Sequence, residues 1–206
     1  MINVVVAGFG LLASVPLMVI IALAIRLTSR GPIFYSQTRV GLDRRGERAQ
    51  QPASRRRADM GGRLFRIYKF RTMGVQPAGH AQEVWATPDD PRITTLGRVL
   101  REFRLDELPQ LWNVLVGDMN IVGPRPEQPA IFAQLREQIK GYDLRQRVRP
   151  GITGWAQVNH SYDQCLDDVR RKVSLDLEYV ARHSVLEDLR IMALTVPVMV
   201  GRKGGW

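Results

Sequence analysis

A chain of 206 residues that is 45% hydrophobic and 24% charged carries enough apolar side chain for one packed domain, which excludes intrinsic disorder as the default. Its 30 Lys and Arg against 20 Asp and Glu leave a net charge of +10, so the surface attracts phosphate, whether in nucleic acid, anionic lipid or nucleotide. The single cysteine, Cys165, excludes an internal disulfide, and His80, His160 and His183 are too widely spaced for a zinc pattern; a reducing compartment follows, with any metal a hard ion held by oxygen.

Residues 4–25 contain no charge and at helical rise reach about 30 Å, the thickness of a bilayer's hydrocarbon core. A secretory signal would open with a positive stretch and close on small residues; neither is present, and Leu23-Ala24-Ile25 runs into Arg26. Arg26, Arg30, Arg39, Arg44 and Arg45 follow the apolar run, which places its C-terminal side in the cytoplasm. Near the middle, Pro16 removes one backbone hydrogen bond, with Ser14 close by. Two arrangements stay open: a bent crossing, which hydropathy favours, or a re-entrant hairpin.

Gly31-Pro32 breaks the helix, and residues 33–40 read as a strand. Residues 44–62, rich in Arg, Gln and Gly, read as a basic loop. A second strand over 64–70 carries Lys69, with Arg71 at its end. Leu96, Val99, Leu100 and Phe103 recur at helical spacing, and a second stripe of Leu108, Leu111, Trp112 and Leu115 stops at Gly117. Pro129 opens another helix through Phe132, Leu135 and Ile139. In the last helix, residues 185–200, one side carries Leu189, Met192, Ala193 and Val196, interrupted by Pro197. The expected fold is α/β and α-rich. A membrane segment over 1–30 precedes one compact cytoplasmic unit over 31–206, in which one or two amphipathic helices are candidates for the plane of the membrane interface.

The chemistry is expected in residues 101–110. Pro109 is tolerated in a helix's first turn, so a helix should start near Asp106, with Asp106 close to the N-cap and Glu107 in the first turn. Capping is the ordinary role of such acids. The same position keeps a carboxylate ionised and favours a bound phosphate, which also makes Asp106 a candidate nucleophile. A carboxylate attacking a diphosphate needs cations around the phosphorus. Lys69 and Arg71, then Arg101 and Arg104, then Arg125 between two stiffening prolines supply them.

Six motifs follow in order: Lys69-Phe70-Arg71-Thr72-Met73; Asp89-Asp90-Pro91-Arg92-Ile93-Thr94; Leu105-Asp106-Glu107-Leu108-Pro109-Gln110-Leu111-Trp112-Asn113-Val114; Gly117-Asp118-Met119; Val122-Gly123-Pro124-Arg125-Pro126; and Arg149-Pro150-Gly151-Ile152-Thr153-Gly154-Trp155-Ala156-Gln157-Val158. The series closely resembles the bacterial sugar transferases, also called monotopic phosphoglycosyl transferases. The resemblance implies a re-entrant helix broken at a Ser/Pro element, a catalytic face on the cytoplasmic side of the bacterial inner membrane, a Mg²⁺ requirement and an Asp-Glu dyad. In such a protein Asp106 is the nucleophile and the metal-binding residue, with Glu107 as its partner. It takes a phosphosugar from a UDP-sugar, releases UMP and hands the phosphosugar to undecaprenyl phosphate, which starts a membrane-bound glycan. Lys69, Arg101 and Arg125 match basic positions of the family's site, and Asp176 with Tyr179 matches its Asp-x-x-Tyr element.

Three departures stand out. The helix break is Ser14-Val15-Pro16 rather than adjacent Ser-Pro, the 44–62 loop is long, and His160-Ser161-Tyr162 stands where many relatives carry Gly and then Arg. Arg145 or Arg149 is a candidate to replace that arginine in binding substrate. The implied partners are a UDP-sugar, undecaprenyl phosphate and inner-membrane lipid, without nucleic acid; a homo-oligomer stays open. Two other functions fit parts of the sequence: a membrane-tethered nucleic-acid binder, which explains the charge but not the acidic pair among cations, and an inactive scaffold on the same fold, against which the retained acids argue.

Overall fold

The computed structural model describes residues 2–43, 62–74, 90–159 and 166–200. Most of the basic loop and the His160-Ser161-Tyr162 segment lie outside them.

Helix α1 (Ile2–Thr28) is helical on both sides of Pro16. Pro16 offers no N–H to the turn before it, and the Ser14 hydroxyl donates to the Leu11 carbonyl at 3.1 Å, a local back-bond common where helices bend. Among the described residues α1 is the one helix long and apolar enough to cross a bilayer. It is nevertheless packed along the rest of the chain. Ala7 is buried with Phe65, Ile67, Val114 and Met119, and Ile21 and Ile25 are buried with Phe70 and Leu100. Both ends are tied by polar bonds. Asn3 accepts from the Ile121 N–H at 3.0 Å, and Arg71 donates to the Ser29 and Arg30 carbonyls and the Ser29 hydroxyl.

Strands β1 (Phe34–Val40) and β2 (Leu64–Phe70) form an antiparallel pair with Phe34 opposite Phe70 and Val40 opposite Leu64, close to the expected limits. After β2 the chain enters α2 (Thr95–Glu102), capped by the Thr94 side chain on the Gly97 N–H. A 3-10 turn (Leu105–Glu107) leads into α3 (Gln110–Leu115). Two three-residue strands, β3 (Asn120–Val122) and β4 (Gly151–Thr153), pair in parallel. Between them lie α4 (Pro129–Gln138), with Pro129 in its first turn, and a second 3-10 segment (Tyr142–Arg147). α5 (Trp155–Asn159), α6 (Leu166–Arg182) and α7 (Val185–Val200) complete a helix-rich α/β fold.

Two of the apolar stripes lie largely on the outer surface. In α2 Leu100 is buried while Val99 and Phe103 are exposed. In α7 the inward face carries Asp188 and Ile191, and Leu189, Ala193 and Val196 face outward. Polar anchors set the inward face of α7: Asp188 Oδ1 lies 2.7 Å from the Tyr179 hydroxyl, and Thr195 Oγ1 lies 2.8 Å from Thr153 Oγ1. Turning Asp188 outward would take its short bond from the buried Tyr179 hydroxyl, so this pair sets the face that packs.

Candidate active site

The acidic pair does not open an α-helix. Arg104 sits in the left-handed region at φ 53°, the Glu107 N–H donates to the Arg104 carbonyl at 3.1 Å, and Leu108 to Leu105 at 3.3 Å, so Asp106 and Glu107 occupy a 3-10 turn. α3 begins beyond Pro109 without a side-chain cap. Asp106 therefore caps nothing, and the expectation that a helix N-terminus keeps it ionised is replaced by a different environment. Both acids are buried, each with about 6% of its surface exposed.

Cations converge on Glu107 from three elements. Its Oε1 accepts from Lys69 Nζ at the end of β2 and from Arg125 Nη2 in the loop after β3, both at 2.7 Å, and Arg104 Nη1 stands 3.9 Å from Oε2. Burial alone would raise the Glu107 carboxyl, but Arg125, Lys69 and Arg104 outweigh it and hold the group well below the usual range. Burial dominates at Asp106 and, with Glu107's charge beside it, pushes that carboxyl up against the pull of Lys69, Arg125 and Arg101. Among the described residues no hydrogen bond reaches the Asp106 carboxylate. Arg101 donates through Nε to Thr72 Oγ1 at 3.2 Å and faces Asp106 and Asp90 electrostatically. Asp90, bonded by the Arg92 side chain and N–H, is drawn down to about 2.

The other expected binding residues lie elsewhere. Arg71 is buried at the C-terminal end of α1, where its guanidinium satisfies backbone carbonyls that the helix leaves open. Arg149 is exposed and lines a small crevice with Gly41, Leu42, Arg63 and Phe65, at the opposite end of the hairpin from Lys69. Arg145 and Asp176 form a buried ion pair at 2.7 Å. Residues that sequence patterns did not single out complete the site. Gln157 Oε1 accepts from Arg104 at 3.2 Å, and Asn113, fully buried, joins α3 to the edge of β2. Asn113 Nδ2 donates to the Arg66 carbonyl at 2.7 Å and its Oδ1 accepts from the Tyr68 N–H at 3.1 Å. That pair of bonds holds β2, and so Lys69, beside the turn that carries Glu107.

A family model described as bacterial sugar transferase matches residues 1–202. The chain belongs to that family. Over 196 residues it is 41% identical to a UDP-glucose:undecaprenyl-phosphate glucose-1-phosphate transferase of Escherichia coli, an alignment covering 94% of this chain and 38% of the relative. It is 40% identical over 196 residues to a UDP-N-acetylgalactosamine-undecaprenyl-phosphate N-acetylgalactosaminephosphotransferase of Aeromonas hydrophila, covering 92% of this chain and 42% of that one. An uncharacterized sugar transferase of Bacillus subtilis is 34% identical over 199 residues, with 96% and 85% covered. The chain thus spans about two fifths of the length of the first two relatives.

In this bacterial sugar transferase the Asn113 amide is expected to be a stability determinant as well as a spacer. Asn113→Leu keeps the volume but leaves the Tyr68 N–H and Arg66 carbonyl without partners, a loss of about 2–4 kcal/mol. Chemical denaturation of the purified protein measures it; an unchanged midpoint would show that the two bonds contribute nothing.

Proposed function

We propose that this chain transfers a sugar 1-phosphate from a UDP-sugar to undecaprenyl phosphate, with the phosphosugar held in between on Asp106. The observation that carries the proposal is the contrast within the acidic pair: Glu107 is pinned by Lys69 and Arg125, while the Asp106 carboxylate beside it accepts no hydrogen bond among the described residues. Lys69 and Arg125, the cations nearest the pair, counter the repulsion between an attacking carboxylate and a diphosphate. An Asp106 oxygen attacks the phosphorus that bears the sugar, the bond from that phosphorus to the bridging oxygen breaks, and UMP leaves with that oxygen. An oxygen of the lipid phosphate then attacks the same phosphorus, the bond to Asp106 breaks, and the carboxylate is regenerated. The names of the relatives, which act on UDP-sugars and undecaprenyl phosphate, favour this chemistry over nucleic-acid binding.

Mg²⁺ belongs to the same proposal. Among the described residues no group of three or more His, Cys, Asp and Glu is assembled, so an ion caged wholly by protein has no site there. The donor set fits the usual Mg²⁺ arrangement of one or two carboxylates plus substrate phosphates, and Asp106 is the residue that would hold it. When bound, the ion supplies neutralisation of the diphosphate charge.

The bacterial inner membrane, with the catalytic unit over 31–206 on its cytoplasmic face, is the proposed location. The two tethers of α1 support a re-entrant course for residues 1–30: a straight crossing of 27 residues would carry one end about 40 Å from the other, yet both ends are bonded to the same body. The outward apolar faces of α2 and α7 suit the membrane interface.

The covalent route, its pH dependence and the topology can each be measured. With UDP-sugar alone, wild type should release a burst of UMP near one per enzyme, and the adduct should map by mass spectrometry to the peptide holding Asp106. Asp106→Asn should abolish the burst, and EDTA should stop turnover until Mg²⁺ is restored. Turnover without burst or adduct would favour direct attack by the lipid phosphate; no UMP from any UDP-sugar would favour a scaffold. Because attack needs Asp106 ionised and its carboxyl is raised, the rate should fall as pH drops through that raised value. Glu107→Gln removes a charge that raises Asp106, so the acid limb of the residual activity should move to lower pH; a limb that moves upward would sink the electrostatic account. For topology, a cysteine at residue 2 in a Cys165-free protein should resist an impermeant thiol reagent on intact cells, and labelling from outside would mean a crossing helix.

A further inference from the structure

The loop that presents Arg125 is held by its own carbonyls. Pro124 O accepts from the Gly151 N–H at 3.0 Å, Arg125 O from Arg145 Nη2 at 3.1 Å, Pro126 O from Arg39 Nη1 at 3.1 Å, and Glu127 O from the Val40 N–H at 2.9 Å. Four successive peptide units are thus tied to four different places, and the two prolines restrict the backbone further. Of these ties only the Arg145 bond falls on Arg125 itself.

Arg145 makes that contact with one arm of its fork. Its guanidinium is spread over three partners: Nε to Asp176 Oδ2 at 2.7 Å, Nη1 to the Tyr142 hydroxyl at 2.7 Å, and Nη2 to the Arg125 carbonyl. Arg145 and Asp176 each expose only 2% of their side chains, so neither can meet a substrate phosphate. One turn along α6, the Tyr179 hydroxyl lies 3.2 Å from the Val122 carbonyl, on the other flank of the same loop. The face of α6 that carries Asp176 therefore holds the Arg125 loop through Arg145, with the Tyr179 hydroxyl set against the other flank, and Arg125 continues the chain of bonds to Glu107 at 2.7 Å.

We propose that Arg145, anchored by Asp176, is a positioning residue of the transfer reaction: it fixes the Arg125 carbonyl and thereby sets where the Arg125 guanidinium meets Glu107. The role rests on the assignment of Asp106 and Glu107 as the transfer site, and it replaces direct substrate binding by Arg145 and Asp176. A planar fork can satisfy three acceptors in fixed directions, whereas a lysine can keep the charge and the Asp176 pair without reaching the other two.

Arg145→Lys in the full chain tests this. It should lower kcat about tenfold with KM within about twofold, and in an Arg125→Ala background the same change should alter kcat by less than about twofold, because its effect runs through Arg125. Equal losses in both backgrounds would overturn the proposal and leave Arg145 a general stabiliser. A second readout needs no activity: the Gly151 amide, bonded to Pro124 O, should exchange hydrogen about tenfold faster in Arg145→Lys while α4 and α6 keep wild-type protection. Unchanged Gly151 exchange would also overturn it. If the wild-type protein releases no UMP, the assignment of the transfer site fails and the exchange measurement still decides the positioning of the loop. Should Arg145→Lys not fold, Tyr142→Phe removes one acceptor from the fork, leaves the ion pair, and is read by the same two measurements.

Discussion

A carboxylate taken out of water and held by cations from three separate elements is the constraint on which this structure turns. Removing Glu107 from solvent costs several kcal/mol, and the attraction of Lys69, Arg125 and Arg104 offsets that only if each arrives at close range. Lys69 arrives because Asn113 fastens the edge of β2 to α3, and Arg125 because its loop is tied carbonyl by carbonyl. Glu107 and Arg104 share one turn. The short parallel pair of β3 and β4 and the position of α6 read as consequences: they bring distant segments to one buried charge.

The two acids, adjacent in sequence, differ in what surrounds them. Glu107 receives the short bonds and stays ionised; Asp106 receives the burial and the neighbouring charge, and is raised. Divergent environments for adjacent carboxyl groups are the usual way one site obtains two roles from one residue type. Pinning one acid leaves the other, among the described residues, without a hydrogen-bond donor on its carboxylate.

Local features were legible in the sequence where local physics decides them. The Gly31-Pro32 break preceded the strand read at 33–40, the run 64–70 gave β2, Pro129 marked the start of α4, and the apolar run marked α1. The convergence of Lys69 and Arg125 on the acidic pair could be suggested from charge alone, but not their shared oxygen. What failed to show depends on contacts across long separations. Arg71 resembles Lys69 in the sequence, yet it lies just past the end of β2 and bonds the end of α1. Three-residue strands such as β3 and β4 leave no periodicity to find, and the Asn113 side chain acts as a piece of strand without looking like one. The apolar stripe of α7 left open which side packs, and the Asp188 bond to Tyr179, formed across the fold, decides it.

Arg104 shows what the turn sacrifices. An L-residue in the left-handed region carries about 1–2 kcal/mol of backbone strain, which glycine at the same position would relieve. Glycine would also remove the guanidinium that reaches toward Glu107 Oε2 and Gln157. The position therefore sets folding against chemistry: a screen that rewards thermal tolerance alone would drift to glycine at 104, and the sturdier protein would have lost a cation from its charge cluster.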